Sequence, residues 1–164
     1  MSDDASVTGP PPDPFFDELR RLQPDIDIVV LPPEEPVRGP FTPVPEARHA
    51  ASVGVQVADD VIAACALSVD FRFDRWQQVR ENVHEHLTRV RVDRESAEAA
   101  LDDLLRVRDF LVAAGWQVRP MDTPVPWFVA STGEGLWRAD VSLDERSLFV
   151  EVATAGLRLE VDPT

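Results

Sequence analysis

The sequence predicts an α+β protein in which an antiparallel β-meander sheet carries an αα-hairpin on one face. Two spacings of apolar residues lead to this fold class. Between residues 74 and 115 apolar side chains recur every three or four positions, whereas after Gly115 they recur every second position. The first spacing is typical of amphipathic helices and the second of strands that bury one face. Helices packed on the dry face of such a sheet form a two-layer domain.

A third observation concerns the N-terminal part of the chain, which is rich in proline. Residues 1–45 contain eleven of the fifteen prolines, together with nine acidic residues and three arginines. Proline fixes φ and removes a backbone donor, so neither a long helix nor a regular sheet is expected there. The chain therefore divides into a Pro-rich acidic arm, residues 1–45, and an α+β domain, residues 46–164.

Within the arm, residues 13–31 have the pattern of a docking segment, with one short helix followed by one extended strand. Asp13 before Pro14 is a favourable helix start, because the carboxylate accepts from first-turn amides and proline suits the first helical position. The flanks of this segment are expected to be disordered or to form polyproline II. The apolar face of the short helix consists of Phe15, Phe16, Leu19 and Leu22.

The first half of the domain is predicted to be mainly helical. The alanine content of residues 56–66 favours a helix, and a hairpin turning at residues 59–60 is the alternative. Alternation over residues 67–73 indicates a strand. Residues 74–91 and 93–115 are predicted to be the two helices of the αα-hairpin, the second ending at a C-terminal glycine. The first of these helices has an apolar stripe of Trp76, Val79, Val83, Leu87 and Val90.

The second half is predicted to be the meander, and two of its strands bring aromatic residues to the surface. Trp127 and Phe128 are neighbours on a strand and point to opposite faces, so one of them points away from the core. By the same argument Phe149 also points away from the core. A protein partner, the N-terminal helix or a second copy of the chain would cover such a surface. The expected partner-binding residues are Phe15, Phe16, Leu19, Leu22, Trp127, Phe128 and Phe149.

The residues that most often act as nucleophiles, metal ligands or acid–base catalysts are not arranged for these roles in this sequence. Cys65 lies in an apolar run, which favours a packed thiol over a nucleophile. His84 and His86 would point about 200° apart on a helix and could not share a metal ion. Asp102 and Asp103 are expected on a solvated acidic surface. The sequence contains no Cys-x-x-Cys, HExxH, GxGxxG or GxSxG motif, so we expect no metal, no cofactor and no catalytic residue.

Composition excludes further classes of protein. The formal charge of −14 argues against binding to nucleic acid phosphates and to anionic membranes. A single cysteine and no recognisable secretory signal lead us to expect a cytoplasmic protein. All sixteen basic residues are arginine, which is typical of a high-GC bacterial gene, with a halophile as the alternative.

These observations favour a non-enzymatic protein-interaction module, such as an adaptor, a chaperone or an assembly factor. An acidic inhibitor or immunity protein is the first alternative, because a strong negative charge would steer a cationic toxin or nuclease toward it. A small-ligand binder or an enzyme whose carboxylates the sequence does not pair is the second. The expected partner is a protein, cationic in the first alternative, and a homodimer is also considered.

Overall fold

The structure is a computed structural model that describes residues 21–22 and 39–160 of the 164-residue chain. The chain divides into two compact units, residues 1–35 and residues 36–164. In the first unit Arg21 and Leu22 are helical, and 58% of Leu22 is exposed. The second unit contains all the elements described below.

The second unit is a seven-stranded antiparallel sheet with two helices, which confirms the α+β class and the meander-like sheet. The strand order is β1-β2-β6-β5-β4-β3, and the short β7 pairs with the beginning of β2. The elements are α1 (Val44–Ala64), β1 (Phe71–Arg80), β2 (Val83–Asp93), α2 (Ala97–Ala113), β3 (Gln117–Pro120), β4 (Trp127–Ser131), β5 (Trp137–Asp144), β6 (Ser147–Thr154) and β7 (Leu157–Arg158).

The two helices begin and end at residues with clear local reasons. Helix α1 has a proline in its first turn, followed by Glu46, and both suit a helix N-terminus. It continues through residues 56–64, which confirms the helix there and excludes the hairpin. Helix α2 is capped by Ser96, whose side chain accepts from the backbone amide of Ala99. After its end Gly115 adopts a φ of 84°, the left-handed conformation expected of a C′ glycine.

The predicted helix over residues 74–91 is wrong, and with it the αα-hairpin. These residues form β1 and β2, joined by a two-residue turn in which Asn82 adopts a φ of 58°. Asparagine tolerates this conformation better than most residues. The two helices of residues 39–160 are therefore separated along the chain by a β-hairpin. The strand predicted over residues 67–73 overlaps β1 only from Phe71 onward.

The burial pattern of β2 explains why the helical spacing was misleading. Val83 and Leu87 point to one face of the sheet, whereas Val90 and Val92 point to the other, and all four are buried. The covered face of β2 is buried along the whole strand, but its first half carries polar residues there and is also buried on the other face, so the apolar residues recur at intervals of four and three. This spacing imitates an amphipathic helix.

The main core lies between the two helices and one face of the sheet. Helix α1 contributes Ala58 and Val61, and helix α2 contributes Leu104, Val107 and Leu111. The sheet side of this core consists of Val90, Val92, Phe128, Ala130, Ala139, Val141, Leu143, Leu148, Val150 and Val152. We call this side of the sheet the covered face. Among the described residues, no helix is long and apolar enough to cross a membrane.

Candidate functional site

The face of the sheet turned away from the helices carries a row of side chains that crosses four strands. Strand register places Trp127 of β4 opposite Ser142 of β5, and Ser142 opposite Phe149 of β6. Phe149 in turn lies opposite Arg91 of β2. The strands that carry the two aromatic rings are roughly 10 Å apart, since neighbouring strands are spaced by about 4.8 Å. The small Ser142 between them leaves a hollow.

The hollow has a volume of about 370 Å³ and is lined by paired charges as well as by the aromatic rings. Arg89 Nε donates to Glu151 Oε2 at 2.7 Å, and Arg138 Nε donates to Asp140 Oδ2 at 2.7 Å. The two arginine side chains remain 45% and 50% exposed. Each cation therefore faces solvent while its charge is balanced by a carboxylate. The lining residues are Arg89, Trp127, Arg138, Asp140, Ser142, Phe149 and Glu151.

The surface around the hollow, which we call the open face, differs in charge from the rest of the protein. Strand register places seven arginines and five carboxylates on it, whereas the whole chain carries a formal charge of −14. At the end near β7 this face is closed, because Leu87 and Ala153 lie opposite each other there and are buried. Its charged residues are Arg75, Arg80, Glu85, Arg89, Arg91, Asp93, Arg119, Arg138, Asp140, Asp144, Glu151 and Arg158.

The structure separates the residues that the sequence marked for partner binding. Trp127 and Phe149 are half-buried and line the same hollow. Phe128 is 3% exposed and belongs to the main core, so it is not available on the surface. Leu22 is largely exposed. Phe15, Phe16 and Leu19 lie outside the described residues.

His84 and His86 are placed differently from the sequence expectation, because they lie on a strand. Residues two apart on a strand point to the same face, here the covered one. Each is 8% exposed, and the buried Nδ1 atom of each has no hydrogen-bond partner. Burial lowers the pKa of His86, and the nearby carboxylate of Asp74 counteracts this in part. Within residues 39–160, no three His, Cys, Asp or Glu residues are grouped to hold a metal ion.

Two further polar groups are buried in the core rather than at a site. Asp103 is 1% exposed, so the expectation of a solvated acidic pair is wrong for this residue. Its carboxylate accepts from Arg94 Nε at 2.5 Å and also pairs with Arg106. Cys65 is buried as expected, and burial raises the pKa of its thiol. Ion pairing accounts for the burial of Asp103, and packing in the core accounts for Cys65, so neither residue needs a catalytic role.

A second hollow, of about 480 Å³, lies at the beginning of α1 and was not anticipated from the sequence. Trp137 forms one wall and donates from Nε1 to the carbonyl of Ala50 at 3.1 Å. The exposed Leu136 adds an apolar rim. No sequence signal marks this hollow, because it joins a loop, a helix and β7 that are far apart along the chain. Its lining consists of Pro45, Glu46, His49, Ala50, Leu136, Trp137 and Leu157.

Comparisons with known proteins add little to this description. No protein-family model matches the chain, and no curated protein matches it. Among solved structures, the crystal structure of a DUF4853 family protein from Actinomyces odontolyticus ATCC 17982 aligns with 74% of this chain and 76% of its own. The identity is 17% and the TM-score is 0.39. A likeness of this size carries no information about function.

Proposed function

We propose that the protein is a non-enzymatic interaction module that binds a protein partner through its open face. The observation that carries this proposal is the hollow between Trp127 and Phe149, with Ser142 as its floor. Both rings stand on central strands that hydrogen-bond to neighbours on each side, so they are held in place before a partner arrives. A hollow of about 370 Å³ has room for one or two large side chains of such a partner.

The composition of the hollow also supports binding to a protein. Tryptophan and arginine are enriched among the residues that contribute most to protein–protein affinity. Arg89 and Arg138 offer guanidinium surface that is already neutralised by Glu151 and Asp140. A partner therefore meets aromatic rings and paired charges without leaving an unpaired charge in the interface.

The same pairs favour binding over acid–base catalysis. A catalytic carboxylate needs an oxygen that is directed at the substrate and a suitable pKa. Glu151 accepts two hydrogen bonds from Arg89, and Asp140 accepts one from Arg138. These carboxylates hold guanidinium groups in position, which is a structural role. We therefore assign the open face to recognition.

The acidic-inhibitor alternative requires a different surface. An inhibitor of a cationic toxin would present carboxylates that outnumber its arginines, whereas on the open face the arginines outnumber the carboxylates. The negative charge of the chain lies elsewhere, so a cationic partner would bind away from Trp127 and Phe149. Salt and mutation then distinguish the two functions, because an electrostatic complex weakens with salt while an aromatic anchor does not depend on it.

The test compares three forms of the full-length protein in affinity capture from the lysate of its own organism. The first is the wild type, the second carries Trp127→Ser with Phe149→Ser, and the third carries Val112→Ser. Val112 is 54% exposed on α2, in the helical layer on the other side of the sheet, which makes it a matched control. We expect one specific protein to be captured by the wild type and the control but lost from the double variant.

Crosslinking makes the test specific for the hollow. A photo-crosslinking amino acid at position 142 is expected to join the captured partner covalently, whereas one at position 112 is not. If the double variant still captures the protein and salt releases it, the acidic surface is the binding site and the open face is not. Capture of no specific protein by any form would contradict the proposal.

A further inference from the structure

The outer edge of β1 is a second feature without a described partner, distinct from the hollow on the open face. In the sheet order β1 is the first strand, and among residues 39–160 it pairs with β2 alone. Its ten residues make it a long edge, whereas β3 at the opposite edge has four residues and ends at Pro120. Unpaired amides and carbonyls along such an edge are a template for another strand.

Two devices that protect an edge, proline and a bulge, are missing from the first part of β1, and the charges that it carries are of both signs, so a second copy can pair with them. Residues 71–76 contain neither proline nor lysine, and the irregularity in strand pairing lies beyond them, between Gln78 and Arg80. Phe71 leaves 52% of its surface exposed at the start of this edge. A regular, partly apolar edge is therefore available over residues 71–76.

The sequence of this edge is complementary to itself when the strand is reversed. If a two-fold axis perpendicular to the sheet passes beside Phe73, Phe73 of one copy lies directly opposite Phe73 of the second copy. Arg72 then lies opposite Asp74 of the second copy, and Asp74 opposite Arg72. Phe71 likewise lies opposite Arg75, and Arg75 opposite Phe71. Opposite charges directly across two strands stabilise an antiparallel pair, and a guanidinium over a phenyl ring is also favourable.

Contacts within one chain already show these attractions. Arg72 pairs with Asp74 at 3.3 Å on the covered face. On the open face Arg75 lies over the ring of Phe73 at 5.3 Å, and Phe71 packs edge-on against Phe73 at 5.8 Å. A second copy would extend both sets of contacts across the axis.

Neighbouring registers are unfavourable, which leaves Phe73 as the axis. An axis at Arg72, Asp74 or Arg75 would place two like charges directly opposite each other, which destabilises a strand pair. An axis at Trp76 would bring the irregular region near Gln78 into the pairing, and an axis at Phe71 would pair half of the contact with residues that precede the strand. Helix α1 packs mainly over β6 and β2 and reaches β1 through Asp59, which pairs with Arg72 at 2.5 Å, so Arg72 of each copy would share its hydrogen bonds between Asp59 and Asp74 of the other copy.

We propose that two copies of this chain associate through β1, antiparallel and with Phe73 at the two-fold axis, so that one sheet runs through both copies. The open faces of the two copies then lie side by side on the same surface. The association does not depend on the proposed function, because the contacts across the two-fold axis involve neither Trp127 nor Phe149.

The first test is the mass of the full-length protein in sedimentation velocity as a function of concentration. We expect a monomer–dimer equilibrium for the wild type. Phe73→Arg puts two guanidinium groups at the axis and is expected to give a monomer. The control is Val79→Arg, an exposed position on the same strand within the irregularity, and it is expected to associate as the wild type does.

A crosslinking experiment tests the register itself. Cβ atoms of directly opposite residues are about 4.5–5.5 Å apart in an antiparallel pair, close enough for a disulfide with small adjustment. Phe73→Cys is therefore expected to form a covalent dimer on mild oxidation, whereas Gln77→Cys, four residues from the axis, is not. The native Cys65 does not interfere, because it is buried.

Three results would overturn the proposal. One is a wild-type protein that stays monomeric at every accessible concentration. Another is a Phe73→Arg variant that dimerises like the wild type. The last is a dimer that is lost on Trp127→Ser with Phe149→Ser, because the open face would then be the contact between copies. Failure to capture a separate partner protein would leave the β1 association unaffected.

Discussion

The two faces of this sheet are built from the same strands but differ in residue composition and in burial. The covered face carries valine, leucine and alanine, and its core residues are 7% exposed or less. The open face carries arginine, carboxylates and aromatic rings that remain half-exposed. Adjacent residues such as Leu148 and Phe149 therefore have opposite environments. The size of an apolar side chain does not by itself decide whether it is buried here, because Phe149 and Trp127 lie on the face that no helix of residues 39–160 covers.

This difference separates stability from recognition. Packing on the covered face supplies most of the free energy of folding, because fully buried side chains contribute most. The open face contributes less to folding, and its aromatic side chains remain available for a partner. A protein divided in this way should tolerate substitutions on one face and not on the other, and the predictions below follow from that contrast.

The largest expected effect comes from two neighbouring positions on β6. Leu148→Ala removes a side chain that is 0% exposed in the main core, which typically destabilises a protein by about 2–5 kcal/mol. Phe149→Ala removes a larger side chain from the open face, and we expect it to lower the free energy of unfolding by less than half as much. Urea unfolding followed by tryptophan fluorescence measures both. Equal losses at the two positions would show that the open face is part of the core.

A smaller effect is expected at the buried carboxylate of α2. Asp103→Ala removes the acceptor of Arg94 and Arg106, and we expect a loss of about 1–3 kcal/mol because a buried, charge-assisted interaction disappears. The cost stays below that of an isolated buried charge, since both arginines still reach solvent. Asp109→Ala on the same helix is the control, because its carboxylate is 68% exposed and surface ion pairs contribute about 0–1 kcal/mol.

If Asp103→Ala unfolds in urea like Asp109→Ala, the buried ion pair does not stabilise the fold. An informative counterpart is Asp140→Ala, which removes the ion pair of Arg138 on the open face. Its effect on unfolding is expected to resemble that of Asp109→Ala. This result would extend the contrast between the two faces from apolar to charged residues.

The same contrast explains how much of the fold the sequence could predict. In β4, β5 and β6 one face is covered along most of each strand, so apolar and polar residues alternate and the strands were predicted closely. In β2 the beginning of the strand is buried on both faces, with Val83 and Leu87 on one face and His84 and His86 on the other, and apolar alternation fails. Only the sheet as a whole shows why, since the burial of Val83 depends on β7, more than sixty residues later.

The candidate site was predicted in part for a similar reason. Alternation was enough to predict that Phe149, and one of Trp127 and Phe128, point away from the core. It could not show that Ser142 lies between Trp127 and Phe149, because that requires the register of three strands. The partner of Asp103 was missed as well, since Arg94 lies in the turn before α2 and meets Asp103 only when the helix packs on the sheet.

The smallest expected effect is a pH dependence that belongs to the covered face. His86 is buried there beside Trp76, whose ring packs edge-on at 5.2 Å, and its pKa lies below the ordinary value of 6.5. The folded state therefore binds a proton less readily than the unfolded state. Stability is fully present above pH 6.5 and falls as the pH drops from there through the lowered pKa of His86. Asp74 is the carboxylate that limits this loss.

Urea unfolding at pH 7.5 and at pH 5.5 measures this dependence. We expect the wild type to lose stability between the two values, and His86→Phe to lose less, because an apolar ring in the same place does not take up a proton. The control is His49→Ala, since His49 is exposed on α1 and its removal should leave the pH dependence of the wild type in place. If His86→Phe and the wild type respond equally to acid, protonation of His86 does not contribute to the acid sensitivity of the fold. Acid sensitivity would then have to come from carboxylate ion pairs, including those of the open face.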